Sequence, residues 1–276
     1  MSTNGGEPLS VFVTTFNNAV SLAGCLESVA WADEILLLDS FSSDETLEIA
    51  RRHGCTIHQQ EFMGYGPQKQ RAMELTRNRW VLLLDADEAL SPELAQEIRE
   101  LLAAGPAADG YWLRRHEQHY WRMSSFAVRP DYFLRLFDKS KGRVTDKPVH
   151  AAPAVAGRTE RLRHPFVHFG MTTLHTKVRK INDYSSGLVK DKVARAKAGN
   201  PLMMVFYPPF YFLRHYLVER QFMNGWVGFI GAAINAFYAF LKYAKLYEHY
   251  QWERHGTSML PGGAPPVDRD DTRGTT

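Results

Sequence analysis

Trp80-Val81-Leu82-Leu83-Leu84-Asp85-Ala86-Asp87-Glu88 joins five large apolar residues directly to a short acidic segment. An apolar run without alternation is typical of a strand that is buried on both faces of a parallel sheet. Asp85 and Asp87 then point to the same side of the extended chain, at the carboxyl end of the strand, where open α/β sheets bind their ligands. Two carboxylates in that place favour Mg²⁺ or Mn²⁺, shared with the phosphates of a substrate. The alternative is an acidic turn between a strand and a capped helix.

Strand and helix patterns also alternate along residues 9–60. This β-α-β-α-β order predicts a doubly wound, mostly parallel sheet with right-handed connections. No Gly-x-Gly-x-x-Gly sequence follows the first strand, which argues against a dinucleotide-binding Rossmann domain. The patterns are the strands Leu9–Thr14, Glu34–Leu38 and Thr56–Gln60, a helix capped by Asn17 or Asn18, and a helix that begins with the capping-box pair Ser42 and Glu45.

Two further helices are predicted on either side of the central strand. Pro67 is well placed to begin the first, which would carry Lys69 in its first turns. Ser91 caps the second and Pro92 begins it.

Five short segments, taken in order, resemble the nucleotide-sugar domain of family 2 glycosyltransferases, which have the GT-A fold. The part of the chain that follows resembles one branch in particular, the bacterial lipopolysaccharide core glucosyltransferases that act on the inner core heptose region. The resemblance implies an α/β, GT-A-type doubly wound sheet with a helical, aromatic-rich C-terminal extension. The segments are Val11–Asn18, Ile35–Ser40, Ser43–Thr46, Lys69–Ala72 and Asp85–Asp87.

The resemblance implies a role in donor binding for residues at the ends of the first strands. In the family, residues that match Thr14, Thr15 and Asn17 lie near the base and ribose, and the aspartate that matches Asp39 contacts the uracil or ribose. A cation at Lys69 could meet the phosphates of the donor or pair with Asp39. Capping and turn roles are the alternative for the first three residues, and a solvated helix face is the alternative for Lys69.

The resemblance also indicates where metal and acceptor would bind. Asp85 and Asp87 match the metal-binding motif of the family, so the expected cofactor is Mg²⁺ or Mn²⁺, and Asp85 would also adjoin the bound donor. Arg135 lies in an Arg-Leu-Phe signature of the branch and could hold a phosphate or an acceptor hydroxyl. A structural ion pair is the alternative for Arg135.

The chain departs from the branch where the general base is expected. The branch usually has Val-His-Glu, and this chain has Val149-His150-Ala151. An inverting transferase needs a base to take the proton from the attacking hydroxyl. His150, Asp131 and Asp146 are the remaining candidates, and a histidine can act near neutral pH. The missing glutamate also leaves open a weakly active or inactive protein.

Two pairs of histidines have spacings that can bind zinc on a helix. His116 and His119 are three residues apart, and His164 and His168 are four residues apart. Pro165 argues against a regular helix around the second pair. Without a third ligand, structural or acceptor-side roles are favoured for all four.

Charge is divided unevenly along the 276 residues. Residues 1–110 contain 7 Lys and Arg against 17 Asp and Glu, whereas Gly157–Lys197 contains 10 basic and 3 acidic residues. A basic zone beside aromatic segments suits an anionic lipid surface or a phosphorylated substrate. No RNA- or DNA-binding signature accompanies it, so we expect no nucleic-acid partner. Cys25 and Cys55 give neither a disulfide framework nor a metal-binding pattern.

The C-terminal third is apolar and aromatic. Gln221–Leu241 is a run of 21 uncharged residues, long enough to span a bilayer on length alone. Its polar residues and glycines argue against a span, whereas its aromatic residues, followed by Lys242 and Lys245, favour a helix that lies in the membrane interface. A helix packed on the catalytic domain is the alternative.

We therefore predict a nucleotide-sugar-binding and catalytic GT-A domain at 1–155, a basic and apolar helical extension associated with membrane or acceptor at 156–255, and a disordered tail at 256–276. The resemblance implies an inverting, metal-dependent transfer of a hexose, glucose from UDP-glucose, to a lipid-linked glycan, the lipopolysaccharide inner core. A polyprenyl-phosphate or exopolysaccharide glycosyltransferase and a catalytically decayed sugar-nucleotide-binding protein are the alternatives. Met1–Pro8 shows no signal-peptide pattern, so we expect a cytoplasmic protein, peripheral on the inner face of the bacterial inner membrane.

Overall fold

The computed structural model describes residues 6–145, 152–170, 173–194 and 200–255. The chain forms two compact units, Met1–Thr172 and Thr173–Thr276. The described strands all belong to the first unit, and the second unit is helical over its described residues.

The main sheet of the first unit has the strand order β3-β2-β1-β4-β8-β6-β11-β5, with β7 paired to β6 and with β9 and β10 in a separate two-stranded sheet. The strands are Leu9–Thr15 (β1), Glu34–Asp39 (β2), Thr56–Gln59 (β3), Trp80–Asp85 (β4), Glu88–Leu90 (β5), Gly110–His119 (β6), Arg122–Met123 (β7), Asp131–Asp138 (β8), Gly142–Val144 (β9), Pro153–Val155 (β10) and Thr159–His168 (β11). The helices are Ala19–Ser28 (α1), Thr46–Arg52 (α2), Tyr65–Leu75 (α3) and Pro92–Ala104 (α4). Strands β1 to β4 are mutually parallel and β8 is antiparallel to β4 and β6, so the sheet is mixed.

The central strands are buried on both faces, as their unbroken apolar sequences predict. Val11 and Leu82 face one apolar core, which α1, α2 and α4 cover. Phe12 and Leu83, one position further along the same strands, face a second core that includes α3. Successive side chains of a strand point to opposite faces of the sheet. Because both faces are covered here, these strands show no alternation of apolar and polar residues in their central parts. The doubly wound α/β prediction is confirmed.

The predicted caps of α1 and α2 are wrong. Asn18 precedes α1 but makes no side-chain cap bond, and the capping box predicted before α2 does not form. The carboxylate of Asp44 instead accepts hydrogen bonds from the backbone N–H of Ala19 at 3.1 Å and of Thr46 at 3.0 Å. Asp44 thus bonds the first residue of both helices, and its bond to α1, 25 residues away, is one that local spacing cannot reveal.

The starts of α3 and α4 follow from local sequence more closely. The Ser91 hydroxyl accepts from the backbone N–H of Leu94 at 3.1 Å, so the predicted cap of α4 is confirmed. Helix α3 begins two residues before the predicted Pro67, after Gly64 with φ of 102°. Such a φ favours glycine, and Pro67 still lies in the first turn, where its missing N–H is tolerated.

Strand β11 lies beyond residue 155, where we predicted the catalytic domain to end. Thr159–His168 lies in the main sheet, parallel to β6 and antiparallel to β5, and the first unit extends to Thr172. Only Leu162 and Phe166 of this strand are buried. Its sequence therefore shows a basic, polar pattern rather than the apolar run by which the other strands are recognised.

The second unit consists of Leu174–Ala194 (α5), Leu202–Leu213 (α6) and Trp226–His255 (α7). A π-helical segment, Arg214–Val218, and a 3-10 turn, Gln221–Asn224, follow α6. Helices α6 and α7 are antiparallel, because the Tyr207 and Tyr243 rings lie 4.9 Å apart and the Phe212 and Phe229 rings 5.5 Å apart. By length and composition alone, Trp226–Arg254 could cross a membrane, which is weak evidence by itself.

Candidate active site

The carboxyl ends of β1, β2 and β4 bring four of the sequence-predicted residues to one edge of the sheet. Thr15 pairs with Asp39 in the register of β1 and β2, and Thr14 pairs with Asp85 in the register of β1 and β4. Neighbouring strands lie about 4.8 Å apart. The parallel order therefore places these four residues at one edge of the sheet, the edge where open α/β sheets bind ligands.

Asp39 is fully buried and organises the loop that follows β2. Its carboxylate accepts hydrogen bonds from the hydroxyl and the backbone N–H of Ser42, the latter at 2.9 Å, and from Gln59 Nε2 at 3.1 Å. The Ser42 hydroxyl accepts from the backbone N–H of Asn17 at 2.8 Å, and Asn17 Oδ1 accepts from the backbone N–H of Ser43 at 2.8 Å. These hydrogen bonds join the loop after β1 to the loop after β2. Asn17 adopts a left-handed backbone conformation there, with φ of 52°.

Thr14 and Thr15 have different surroundings. Thr15 is buried, and its hydroxyl accepts from Asn18 Nδ2 at 3.2 Å. Thr14 is half-buried beside Asp85. Of the two, Thr14 is the better placed to touch a ligand.

Two cations flank Asp85. Lys69 Nζ lies 2.5 Å from Oδ1, and Arg135 Nη2 lies 3.2 Å from Oδ2. Burial alone would raise the pKa of Asp85, but these two cations hold it well below its usual range. Lys69 is buried and pairs with Asp85 rather than with Asp39, so the solvated-face alternative for Lys69 is wrong.

Glu88 is a buried acid that sequence analysis did not single out. Its Oε1 lies 2.5 Å from Arg135 Nη2, and its Oε2 accepts from the backbone N–H of Asp85 at 3.0 Å. Burial raises the pKa of Glu88, against the lowering effect of Arg135 and with the help of the charge on Asp85. Arg135 thus bridges two acids, and its Nε has no hydrogen-bond partner among the described residues. The sequence signal that could have identified Glu88 is its position as the third acid after the apolar run of β4.

For His168 the sequence favoured a structural or acceptor-side role over zinc binding, and the structure places it opposite Asp87. His168 Nε2 lies 3.3 Å from Asp87 Oδ2, and its Nδ1 lies 3.4 Å from Glu117 Oε1. Burial would lower the pKa of His168, but the two carboxylates raise it to about 9. For Glu117 burial alone would raise the pKa, but His168 and Arg115 lower it to about 2. A side chain at position 170 would clash with the imidazole, so Gly170 permits the close approach.

Neither histidine pair lies on a helix, the arrangement in which these spacings could bind zinc. His164 and His168 lie on a strand, as Pro165 suggested, and not on a helix. His116 Nε2 is hydrogen-bonded to the carbonyl oxygen of Ser124 at 2.6 Å.

The family model described as glycosyl transferase family 2 matches residues 10–155 of this chain. The protein is a family 2 glycosyltransferase. The expected GT-A fold class and the expected enzyme class are both confirmed by this membership.

Similar proteins cover nearly the whole of this glycosyltransferase. It is 32% identical over 251 residues to the lipopolysaccharide core biosynthesis glycosyltransferase LpsC of Rhizobium meliloti, with 88% of this chain and 93% of LpsC covered. It is 31% identical to an uncharacterized glycosyltransferase of Rickettsia felis, with 88% and 90% covered. Among solved structures, S. aureus TarS 1–349 in complex with UDP-GlcNAc is 13% identical with a TM-score of 0.45, covering 89% of this chain and 92% of that one.

A divalent cation fits this edge of the sheet in the glycosyltransferase only if ligands from outside the protein complete its coordination. Asp87 offers a carboxylate oxygen, and His168 offers an imidazole nitrogen once the metal ion displaces the proton that its raised pKa retains near neutral pH; both side chains are partly exposed. Both oxygens of Asp85 are already engaged by cations. Within residues 6–145, 152–170, 173–194 and 200–255, no group of three or more His, Cys, Asp or Glu side chains is arranged to hold a metal ion. Substrate phosphates and water would have to complete the coordination, as is usual for Mg²⁺.

One of the three candidate bases lies among the described residues of this glycosyltransferase. Asp131 begins β8, is exposed, and has Oδ2 3.8 Å from Arg115 Nη2. Arg115 also contacts Glu117 at 3.0 Å, which places Asp131 near the His168 end of the site. His150 and Asp146 lie outside the described residues.

Proposed function

We propose that this glycosyltransferase transfers a hexose from a UDP-sugar to a lipid-linked glycan, with inversion and with a divalent metal ion. Glucose from UDP-glucose is the proposed donor, and the lipopolysaccharide inner core is the proposed acceptor. The observation that carries the proposal is the charged row at the sheet edge, in which Lys69 and Arg135 flank Asp85 while Asp87 faces His168. Buried cations beside carboxylates suit a substrate that carries a diphosphate.

The residues of this chain can stabilise the departing diphosphate. Lys69 and Arg135 are buried, and fixed cations in a water-poor site stabilise charge that develops in the transition state. The metal ion, when bound, would neutralise the same charge as a Lewis acid. Asp87 and His168 would hold it, with Asp85 beside them. Glu117 would keep the ring of His168 in place by its contact with Nδ1.

The acceptor and the location are proposed from similarity and charge. LpsC is named as a lipopolysaccharide core biosynthesis enzyme, and most of this chain and of LpsC are matched. A growing core glycan is attached to lipid, so the reaction would take place at the cytoplasmic leaflet of the inner membrane. A polyprenyl-phosphate or exopolysaccharide acceptor is the second candidate, because its lipid and phosphate would also suit the basic segment Gly157–Lys197.

Metal-dependent release of UDP tests the proposal. The purified protein should release UDP slowly from UDP-glucose without an acceptor, and EDTA should stop the release until Mn²⁺ is restored. A set of UDP- and GDP-sugars, compared by thermal shift with Mn²⁺, would identify the donor, because a bound ligand raises the unfolding temperature. A protein that binds the nucleotide sugar but never cleaves it would support the decayed-enzyme alternative instead.

Asp39→Asn is expected to weaken UDP binding by about 10- to 100-fold, since a hydrogen bond to a charged group contributes about 1.5–3 kcal/mol. The change keeps the shape of the side chain but removes the charge that holds Ser42 and Gln59. Calorimetric titration of UDP measures the effect. Asp33→Asn is the matched control, because Asp33 bonds the backbone N–H of Leu9 at the start of β1, away from the carboxyl edge. An unchanged affinity in Asp39→Asn would remove Asp39 from the donor site.

Substitutions at residues 131, 150 and 151 are expected to identify the base. Loss of a positioned general base lowers the rate by about 10²–10⁴-fold. We expect His150→Ala or Asp131→Asn, but not both, to show this loss with unchanged UDP affinity. If a histidine acts, turnover falls as the pH drops through about 6.5, the ordinary pKa of imidazole, whereas a carboxylate base gives a fall at lower pH.

Ala151→Glu and Asp146→Asn complete this series. A large gain on restoring the glutamate would mean that the present chain works without a proper base. If Ala151→Glu and His150→Ala are both silent, Asp131 and Asp146 remain, and comparison of their Asn variants distinguishes them.

A further inference from the structure

The solvent-facing side of α6 is apolar along its whole length. No residue of the helix is buried, and its exposed residues recur at spacings of three and four, which is one face of a helix. The opposite side carries Tyr207 and Phe212, which contact α7. The exposed face consists of Leu202, Val205, Phe206, Pro209, Phe210 and Leu213.

Helix α7 presents a second apolar stripe. Trp226, Phe229, Phe237 and Phe240 are all exposed, and a helical period of 3.6 places them on one side. Trp226 is 79% exposed, and Phe206 of α6 is 65% exposed. We name the two stripes together the apolar face of the helical hairpin. Monomeric soluble proteins rarely leave this many large apolar side chains of two neighbouring helices in water, so the two stripes mark an interaction surface.

The excess of basic residues in the helical unit indicates which kind of partner the apolar face binds. The described residues 173–194 and 200–255 contain ten Lys and Arg against five Asp and Glu. Lys242 Nζ lies 5.3 Å from the ring centre of Tyr211 and 5.1 Å from that of Tyr243, and Lys192 Nζ lies 3.9 Å from that of Tyr243. Tyrosine rings with lysine head groups are typical of the boundary between lipid headgroups and acyl chains. A positively charged zone next to an apolar face is complementary to an anionic bilayer.

We propose that the helical hairpin binds an anionic lipid bilayer by its apolar face and lies in the interface without crossing the membrane. Helix α6 has 12 residues, which at 1.5 Å per residue is about 18 Å, well short of the roughly 30 Å of the hydrocarbon core. The part of α7 before its first lysine, Trp226–Leu241, is about 24 Å long by the same measure. An apolar stripe along the whole of α6 and along the first half of α7 suits a position parallel to the membrane surface.

The segment between the two helices supports the same orientation. Arg214 Nε lies 3.5 Å and His215 Nδ1 2.8 Å from the carboxylate of Glu219. Upright insertion of the hairpin would carry this charged group, and the exposed Arg220, into the hydrocarbon, where charged side chains are costly. In an interfacial position they stay at the level of the headgroups. The inference rests on the proposed function for the lipid-linked acceptor, which the bound hairpin would meet in the plane of the membrane.

Vesicle flotation tests the inference with the full-length protein. Vesicles of phosphatidylethanolamine and phosphatidylglycerol should bind it at low salt, and high salt or alkaline carbonate should release it. Weaker binding is expected on phosphatidylcholine alone, because electrostatic attraction is screened by salt and absent on neutral lipid. Absence of binding overturns the inference. Binding that resists carbonate would show a span, and dimers without vesicle binding would show a second copy as the partner; both outcomes overturn it.

Phe210→Glu should lower the partition coefficient on anionic vesicles at least about tenfold, because a large apolar side chain leaves the lipid. Phe62→Glu is the matched control, since Phe62 is 56% and Phe210 58% exposed and Phe62 lies in the first unit. Circular dichroism checks that both variants fold. If Phe210→Glu does not fold, the salt and carbonate results on the unaltered protein decide the question. Vesicle binding without UDP release would refute the proposed function alone, and UDP release without vesicle binding would refute only this inference.

Discussion

Asp87→Ala is expected to lower turnover by about 10³-fold or more, because a metal ion beside a departing diphosphate contributes several kcal/mol and each 1.36 kcal/mol is a factor of ten. The fold should persist, since the side chain of Asp87 is partly exposed at a strand end and its described partner is His168. Turnover of UDP-glucose at saturating Mn²⁺ measures the loss. Calorimetric titration of Mn²⁺ in the presence of UDP should show weakened metal binding at the same time, which is a readout independent of catalysis.

Asp109→Ala is the matched control for this experiment. Asp109 pairs with Lys141 and precedes β6 at the amino edge of the sheet, opposite the site. It should bind Mn²⁺ with UDP as the unaltered protein does. If Asp87→Ala retains near-normal turnover and metal affinity, the proposed metal site is wrong.

Arg135→Met is expected to destabilise the first unit by about 3–5 kcal/mol, because removal of one partner leaves buried charge uncompensated. Arg135 contacts both Asp85 and Glu88, and Glu88 is only 2% exposed. Urea unfolding measures the change in the free energy of unfolding. Arg158→Met is the control, because Arg158 is exposed and its partner Glu160 is partly exposed, and such a pair contributes about 0–1 kcal/mol.

The double variant Arg135→Met/Glu88→Leu separates stability from chemistry. Replacement of a buried ion pair by apolar residues is often close to neutral, so the double variant should regain much of the stability lost by Arg135→Met alone. Its activity should not return, because the cation beside Asp85 and the donor phosphates is still missing. If activity returns together with stability, Arg135 has only a structural role.

The sequence alone was sufficient for the central sheet. The apolar runs at residues 11–13 of β1, 35–38 of β2 and 80–84 of β4 follow directly from burial on both faces, and this local cause is visible in the chain itself. Parallel pairing then brings the strand ends together, so the proximity of Thr14, Asp39 and Asp85 could be predicted from the order of the elements.

Contacts across long sequence separations could not be predicted in this way. Asp44 caps α1 from a different loop, and Glu88 is buried only because Arg135 arrives from β8. His168 reaches Asp87 because β11 pairs with β5. In each case the partner is chosen by the tertiary fold, whereas capping boxes and residue spacings report only on the nearest turns.

The late position of β11 in the chain has a consequence for how the enzyme is made. This strand inserts between β6 and β5, so both strands present open edges until residues 159–168 have left the ribosome. A fragment that ends at residue 155, where the family match ends, would carry the Asp85 and Asp87 motif but leave unpaired the β6 edge that β11 covers, residues 110–117. Unpaired edges of that length promote aggregation, and such distant pairings form slowly. Nascent chains of this enzyme are therefore most exposed to misassembly just before their last strand is synthesised, and truncated forms should accumulate as inclusion bodies.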